Sequence, residues 1–243
     1  MFIYYPSVLE KFDYKINMGK LYTISKPVVG VFGTSKQQGK FTLQLLLRAY
    51  MSELGYKIGQ LGSEPQSLLF GFDYVFPFGY ESNITMGYDV MIPILNYYMH
   101  LIDMKDVDLI IVGSQAGTAP QSFENIMYFN DHQIDFLCGT LPDAVILSIN
   151  YHDSIEYIQR TIYLIESLVD CKVIALCIFP LGYENEWDLM MDNKKAIDID
   201  SLSAFKNNVS KKVRRPVFIL GEENTIENII LEIQAFFSET KWE

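Results

Sequence analysis

Short apolar runs of strand length alternate with helix-patterned segments along most of this chain, and this alternation constrains the fold more than any other feature. The runs are apolar at nearly every position, which is typical of strands buried on both faces of a parallel sheet. Strands that alternate with helices build an α/β domain with helices on both faces of the sheet. We therefore expect a three-layer α/β fold with a mainly parallel central sheet. The predicted strands are Pro27–Phe32, Lys57–Leu61, Val107–Val112, Asp143–Ile149, Lys172–Phe179 and Pro216–Leu220.

Five segments between and after these runs carry apolar residues at helical spacing. Gly55 is expected to end the first of them, and Thr225 to cap the last. In contrast, the polar stretch from Glu184 to Arg215 is predicted to be a mobile loop that covers the functional site as a lid. The predicted helices are Lys40–Leu54, Tyr88–Met104, Gln121–Phe136, Asp153–Val169 and Thr225–Phe237.

The length and composition restrict the classes of protein to which this chain can belong. We expect one large domain in residues 27–243 of the 243, with residues 1–26 as an arm or the remnant of a larger N-terminal domain. The net charge of −11 argues against nucleic-acid and membrane partners, because phosphate groups attract positive surfaces. The apolar runs are too short to span a bilayer, and the first residues lack the pattern of a secretory signal. Three cysteines without disulfide or metal spacing fit a reducing cytoplasm.

The most informative motif is a glycine-rich loop where the first predicted strand passes into the first helix. Backbone N–H groups in such a loop wrap around phosphate oxygens, and the helix N-terminus favours an anion. Lys40 would reach the β- and γ-phosphates, and the hydroxyl of Thr42 would bind Mg²⁺. The predicted cofactor-binding residues are Gly33, Thr34, Ser35, Lys36, Gln37, Gln38, Gly39, Lys40, Phe41 and Thr42.

The spacing of this loop departs from the usual phosphate-loop pattern. Five residues separate Gly33 from Gly39, where the usual pattern has four, and Phe41 stands between Lys40 and the hydroxyl. A tight strand-to-helix turn with an incidental lysine is the alternative interpretation. Lys36 could donate to a phosphate within its own subunit or across a dimer, or it could be a solvated lysine at the loop tip.

The loop resembles that of dethiobiotin synthetase-like P-loop proteins, and the single residue between Lys40 and Thr42 makes it more similar to the DUF1611 group. Gly113–Pro120 and Leu141–Leu147 resemble segments of that group in the same order. Over roughly residues 27–240 the chain resembles P-loop proteins of peptide-maturation systems, which are encoded beside small ribosomal peptides in clostridia-like bacteria. The resemblance implies a P-loop NTPase-like fold, a bound nucleotide (ATP more than GTP) with Mg²⁺, a homodimer, and a small precursor peptide or peptide-modifying enzyme as partner.

One position departs from these relatives. They carry a Mg²⁺-linked glutamate at the end of the third predicted strand, where this chain has Gly113, and no acid follows until Glu124. Glu64, after the second strand, is therefore the second metal-ligand candidate beside Thr42, although it could also be an exposed loop acid. Gln115 is predicted, with Lys40, to be catalytic by orienting a water, within a segment 113–118 that positions the attacking group. Backbone hydrogen bonding in a strand-end loop is the alternative for Gln115.

These residues predict a Mg²⁺-nucleotide-binding protein that acts in the maturation of a small ribosomal peptide or a related small-substrate reaction, with NTPase or ATP-dependent ligase activity possible. Two alternatives stay open: a non-hydrolysing nucleotide-binding scaffold, and an acyl-CoA-dependent N-acyltransferase, which the resemblance to some DUF1611 relatives implies. The aromatic-rich run from Phe70 to Tyr98 could line a peptide groove or a subunit interface, or pack as a cluster under a long loop.

Overall fold

A computed structural model describes residues 20–77, 88–124, 126, 129–182 and 194–239 of the chain. Seven strands form one parallel sheet in the order β3-β2-β4-β1-β5-β6-β9, and β7 pairs with β8 as a separate antiparallel ribbon. The strands are β1 Val28–Gly33, β2 Ile58–Gly62, β3 Tyr74–Val75, β4 Leu109–Gly113, β5 Ala144–Ile149, β6 Lys172–Ile178, β7 Leu181–Gly182, β8 Lys195–Ala196 and β9 Val217–Ile219. The six predicted strands are thereby confirmed to within two residues at each end.

Helices cover both faces of the sheet, which confirms the predicted three-layer architecture. One face packs against α1 and α6 around a core that includes Val31, Leu43 and Ile229. The other face packs against α2, α3, α4 and α5 around Phe32, Leu95 and further buried side chains. The helices are α1 Lys40–Glu53, α2 Tyr88–Asp103, α3 His132–Thr140, α4 Ile155–Leu168, α5 Ile199–Val213 and α6 Thr225–Glu239, with a 3₁₀ helix at Pro65–Phe70.

Strand β1 lies at the centre of the sheet, between β4 and β5. Outward from β1, the strands β4, β2 and β3 lie on one side and the strands β5, β6 and β9 on the other, so the chain passes from one side of β1 to the other between β4 and β5. This reversal of strand order is the topological switch point at which open α/β sheets bind ligands. The loops that follow β1, β4 and β5 therefore meet at the same edge of the sheet.

The helix predicted for Gln121–Phe136 is wrong over its first part, because α3 begins only at His132. The side chain of Asp131 accepts a hydrogen bond from the N–H of His132 and caps the helix there. Upstream, the guanidinium of Arg160 donates to the carbonyl oxygens of Pro120 and Gln121, at 2.6 and 3.0 Å. Arg160 thus occupies carbonyl oxygens that would accept intrahelical hydrogen bonds if the helix began at Gln121.

The loop predicted for residues 184–215 is wrong for residues 199–213, which form helix α5, whereas the lid stays a prediction. Asp198 caps this helix by accepting a hydrogen bond from the N–H of Ser201 at 2.8 Å. Only Leu202 and Val209 of α5 are buried, so the helix is polar over most of its surface and its sequence reads like a loop. Residues 184–193 of the predicted lid lie outside the described residues.

The aromatic run is split between the core and the surface. Phe72, Phe76 and Tyr98 are buried, which supports the interpretation as a hydrophobic cluster for these three, whereas Phe70 is half exposed. Phe78 and Tyr80 lie outside the described residues.

Residues 20–26, from the predicted N-terminal arm, contact helix α2. The side chain of Asn96 pairs with both backbone groups of Tyr22, and Asp103 accepts hydrogen bonds from the N–H groups of Ser25 and Lys26 at 2.9 Å. Residues 1–19 lie outside the described residues. Among the helices that the structure describes, none has the length and apolarity needed to cross a bilayer.

Candidate functional site

The loop between β1 and α1 opens onto a helix N-terminus whose first amides find no acceptor among residues 20–77, 88–124, 126, 129–182 and 194–239. Gly39 is the N-cap in a left-handed conformation (φ 69°), and it supplies no side chain to cap the helix. Within the described part of the chain, the N–H groups of residues 39–42 donate to no acceptor, and the first intrahelical bond runs from Leu43 to the carbonyl oxygen of Gly39. A Cβ at position 39 would lie 2.7 Å from the ring of Phe179, so only glycine fits. This arrangement is suited to holding an anion.

Lys40 lies at the start of this helix with its side chain buried. Its Nζ donates to the carbonyl oxygen of Ser35 at 2.6 Å, and among the described residues it forms no ion pair. Burial lowers the pKa of Lys40 to about 7, although the nearby carboxylate of Glu64 opposes this shift. A bound anion would supply a negative charge beside Lys40 and would favour its protonated form.

A cavity of about 210 Å³ lies in front of the loop, and it brings together the residues predicted for phosphate, metal and catalysis. The volume is below the 300 Å³ or so at which pockets hold whole drug-sized ligands, and it suits a polyphosphate group rather than an entire nucleotide. The cavity is lined by Gln37, Gln38, Gly39, Lys40, Phe41, Thr42, Glu64, Gln115, Phe179 and Lys194. Of the predicted loop residues, Gly33, Thr34, Ser35 and Lys36 are not among these lining residues.

Beneath the loop lies a buried polar network. Thr34 Oγ1 donates to Asp153 Oδ2 at 2.5 Å, and Gln38 Nε2 donates to Thr34 Oγ1 at 2.7 Å. The hydroxyl of Tyr157 lies within donating distance of two carbonyl oxygens, those of Thr34 (2.5 Å) and Ala119 (2.9 Å). Burial raises the pKa of Asp153 to about 6, against the opposing effect of the hydrogen bonds from Thr34 and the N–H of Asn150. The network ties the loops that follow β1, β4 and β5 to one another.

Both residues that were predicted to bind a metal line the cavity. Thr42 is exposed at the cavity, and Glu64 faces it from the segment after β2. Burial raises the pKa of Glu64, and the charge of Lys40 opposes this. Hydroxyl and carboxylate oxygens suit Mg²⁺, which takes few protein ligands when phosphates supply the rest. The described residues contain no cluster of three His, Cys, Asp or Glu that could hold a metal by itself, so a Mg²⁺ ion here would depend on the nucleotide.

Comparison with solved structures shows that other proteins share this fold. A DUF1611 family protein from Anabaena variabilis aligns with 89% of this chain at a TM-score of 0.65 and 13% identity, and the chain spans 62% of that protein. A nucleotide-binding protein from Archaeoglobus fulgidus, in complex with ADP, aligns with 89% of this chain and 92% of its own length at a TM-score of 0.50 and 10% identity. The chain has a P-loop NTPase-like fold. A plasmid partition protein from Borrelia burgdorferi is similar over 89% of this chain and 100% of its own length, with a TM-score of 0.55 and 12% identity.

No protein-family model matches the chain, and no curated protein matches it in sequence. The chain therefore resembles these solved proteins in structure, at a sequence identity of 10 to 13%.

The sequence resemblance leads us to expect an acidic side chain at the end of β4, and the structure shows why it would not fit there. Gly113 faces helix α1, and a Cβ built on it would overlap the side-chain amide of Gln44. Gln44 is buried, and its Oε1 has no hydrogen-bond partner in the described part of the chain. The amide therefore fills the space that an acidic side chain at position 113 would need, and it leaves a neutral acceptor oxygen there instead.

The loop after β4 is held in place by backbone and side-chain contacts. The side-chain nitrogen of Gln115 donates to the carbonyl oxygen of Ser63 at 2.6 Å, and so links this loop to the segment that carries Glu64. The N–H of Thr118 donates to the carbonyl oxygen of Gly33 at 2.9 Å. Gln115 thus has a structural contact as well as its place on the cavity.

The residues that sequence reasoning missed are Gln44, Asp153, Tyr157, Phe179 and Lys194. Asp153 follows β5, which is the strand beside β1, so a prediction of strand order would have placed it under the phosphate loop. No local pattern marks Gln44, because its role depends on contact with a strand far away in the sequence.

Proposed function

We propose that this protein binds a nucleotide by its phosphate groups at the loop between β1 and α1. The observation that carries the proposal is the joint placement, at one cavity, of four helix-end amides and a buried lysine that have no acceptor and no ion-pair partner, respectively, among the described residues. Both features favour a negatively charged ligand, and both lie at the switch point of the sheet.

In this proposal, the backbone amides and Lys40 bind the phosphate groups. The N–H groups of residues 39–42 donate to phosphate oxygens, and Lys40 neutralises the β- and γ-phosphates. Thr42 and Glu64 would hold Mg²⁺, which would supply positive charge next to the phosphates. Phe41 stands where the usual motif has a metal-binding hydroxyl, but its side chain has no oxygen to offer a metal, and its ring packs against Phe70 and Phe72.

Calorimetry with ADP and ATP, each with and without Mg²⁺, tests this proposal on the whole chain. Lys40→Ala is expected to weaken binding at least a hundredfold, since removing a charge-assisted hydrogen bond to an anion costs about 3 kcal/mol. The matched control is Lys172→Ala, which removes an exposed lysine at the opposite, amino-terminal edge of β6 and is expected to bind like the native chain. Equal affinity of the native chain and Lys40→Ala would overturn the proposal.

For the base and the substrate class, the proposal follows the sequence resemblance. The nucleotide is ATP, and the reaction belongs to the maturation of a small ribosomal peptide, with a precursor peptide or a modifying enzyme as partner and a homodimer as the working unit. The loop motif and the segments 113–120 and 141–147 support this part of the proposal. Competition between ATP and GTP in the same calorimetric assay tests the base.

A second candidate function is a nucleotide-binding scaffold that does not hydrolyse its ligand. Gly113 and Gln44 favour it, because the strand end beside the phosphate loop carries a neutral amide where an acid would support metal-dependent hydrolysis. Measurement of phosphate release from ATP separates the two candidates. Binding with no release above the uncatalysed rate supports the scaffold, and sustained turnover that Lys40→Ala abolishes supports the enzyme.

A further inference from the structure

A directional chain of hydrogen bonds leads from a buried carboxylate to a backbone amide of the phosphate loop. Asp153 Oδ2 accepts from Thr34 Oγ1 at 2.5 Å and from the N–H of Asn150 at 2.7 Å. Thr34 Oγ1 accepts from Gln38 Nε2 at 2.7 Å, and Gln38 Oε1 accepts from the N–H of Ser35 at 3.0 Å. The side chains of Thr34, Gln38 and Asp153 are all buried, so water cannot replace these bonds.

The acceptor at Asp153 sets the direction of the whole chain. A threonine hydroxyl has one proton, and Asp153 Oδ2 is a much nearer acceptor for it than the carbonyl oxygen of Ser148 at 3.5 Å. The Thr34 oxygen is then left to accept, so the NH₂ of Gln38 must face it and the Gln38 carbonyl must face Ser35. The reverse orientation of the Gln38 amide would set two donors against each other at Ser35.

The peptide groups on the two sides of Ser35 are thereby held by flanking side chains. Gln38 Oε1 holds the N–H of Ser35, and Lys40 Nζ holds its carbonyl oxygen at 2.6 Å. Lys40 is also the cation of the proposed nucleotide site. The carboxylate below the loop is therefore connected to the lysine within it through three intervening residues.

We propose that Asp153 is a positioning residue for the phosphate loop, which acts through Thr34 and Gln38 to fix the backbone at Ser35, and with it Lys40, in the conformation that receives the phosphates. This inference rests on the proposed function. The cost of the arrangement supports it: burial of an acid is unfavourable, as the pKa of about 6 for Asp153 reflects, and packing alone would be served by an apolar residue.

Two pairs of variants test the inference, with ADP as the probe and without Mg²⁺ so that the metal ligands do not contribute. Asp153→Asn and Thr34→Ser keep an acceptor or a hydroxyl at each place and are expected to bind ADP within about twofold of the native chain. Asp153→Ala and Thr34→Val break the chain of hydrogen bonds and are expected to bind about tenfold or more weakly, as is typical when a supporting hydrogen bond is lost.

Thr161→Val is the matched control, because Thr161 is a buried threonine of α4 whose hydroxyl donates to the carbonyl oxygen of Tyr157 at 2.9 Å, outside this chain. It is expected to leave the ADP affinity unchanged. Amide hydrogen exchange gives a second readout that does not need a ligand. The Ser35 amide is expected to exchange faster in Asp153→Ala and Thr34→Val but not in the two conservative variants, while the amide of Val31 in β1 stays protected in all.

The outcomes separate this inference from the proposed function. Failure of the native chain to bind ADP contradicts the proposed function, and the exchange of Ser35 still tests the hydrogen-bond chain. Native binding that Asp153→Ala and Thr34→Val retain in full overturns the inference and leaves the proposed function standing. Should Asp153→Ala not fold, Thr34→Val and Thr34→Ser decide the matter, and equal affinities of that pair overturn the inference.

Discussion

The carboxyl ends of β1 and β4 lie side by side at one edge of the sheet, but they are equipped very differently. At the end of β1, the loop presents a buried lysine and amides that have no acceptor in the part of the chain that the structure describes, and hydrogen bonds from below hold its backbone. At the end of β4, Gly113 carries no side chain and the amide of Gln44 fills the space beside it. Under the proposed function, the features that would hold an anion are therefore separate from those that would hold a metal, and this chain carries more of the first than of the second.

The largest expected effect concerns the support under the β1 loop. Because burial raises the pKa of Asp153 from its ordinary value of 3.8 to about 6, the folded state holds this proton more tightly than the unfolded chain. The contribution of Asp153 to stability is therefore most favourable below about pH 4 and is lost as the pH rises to about 6, by about 3 kcal/mol in all. Urea unfolding of the native chain and Asp153→Asn between pH 4 and 7 measures this as a change in the difference between their free energies of unfolding. A difference that does not vary with pH would contradict the prediction.

A smaller effect is expected at the end of β4. Gly113→Ala places a methyl group where the Gln44 amide lies, and overpacking of this kind costs about 2 kcal/mol of unfolding free energy. Gln44→Ala removes the amide, so the double variant Gln44→Ala/Gly113→Ala is expected to be more stable than the sum of the two single effects. Denaturant unfolding of the four chains forms the double-mutant cycle. Strictly additive effects would show that Gln44 does not block this position.

The smallest effect concerns the charge of Lys40. Its pKa of about 7 means that the side chain is largely neutral at pH 8, whereas phosphate binding favours the charged form. ADP binding is therefore expected to take up a proton at pH 8, and the affinity to fall roughly fivefold between pH 7 and pH 8. Calorimetry at pH 8 in buffers with different ionisation enthalpies measures the proton uptake directly. An observed binding enthalpy that is the same in every buffer would show that Lys40 does not titrate.

Local sequence patterns were sufficient for six of the seven strands of the sheet and for the position of the glycine-rich loop, whereas the two-residue strand β3 was not predicted. The strands are buried on both faces, so each appears in the sequence as a continuous apolar run, and the glycines of the loop stand where a strand meets a helix. Helix α5 was missed although Leu202, Phe205, Val209 and Val213 recur at helical spacing and pack against the core, because the residues between them are mostly polar.

The supports of the site could not be predicted, because they depend on the strand order and on contacts between distant residues. Asp153 meets Thr34 only because β5 pairs directly with β1, and Gln44 meets Gly113 only because α1 crosses the end of β4. In the sequence, Asp153 looks like an ordinary start of a helix and Gln44 like an ordinary polar position within one.

The most direct test of the central claim is a titration of ¹⁵N-labelled protein with ADP, followed by the amide resonances. We predict that the resonances of residues 39–42 shift together and saturate with the affinity found by calorimetry, because their N–H groups donate to the phosphates. Resonances of residues 39–42 that stay in place while ADP binds elsewhere, or that do not respond to saturating ADP at all, would contradict the account.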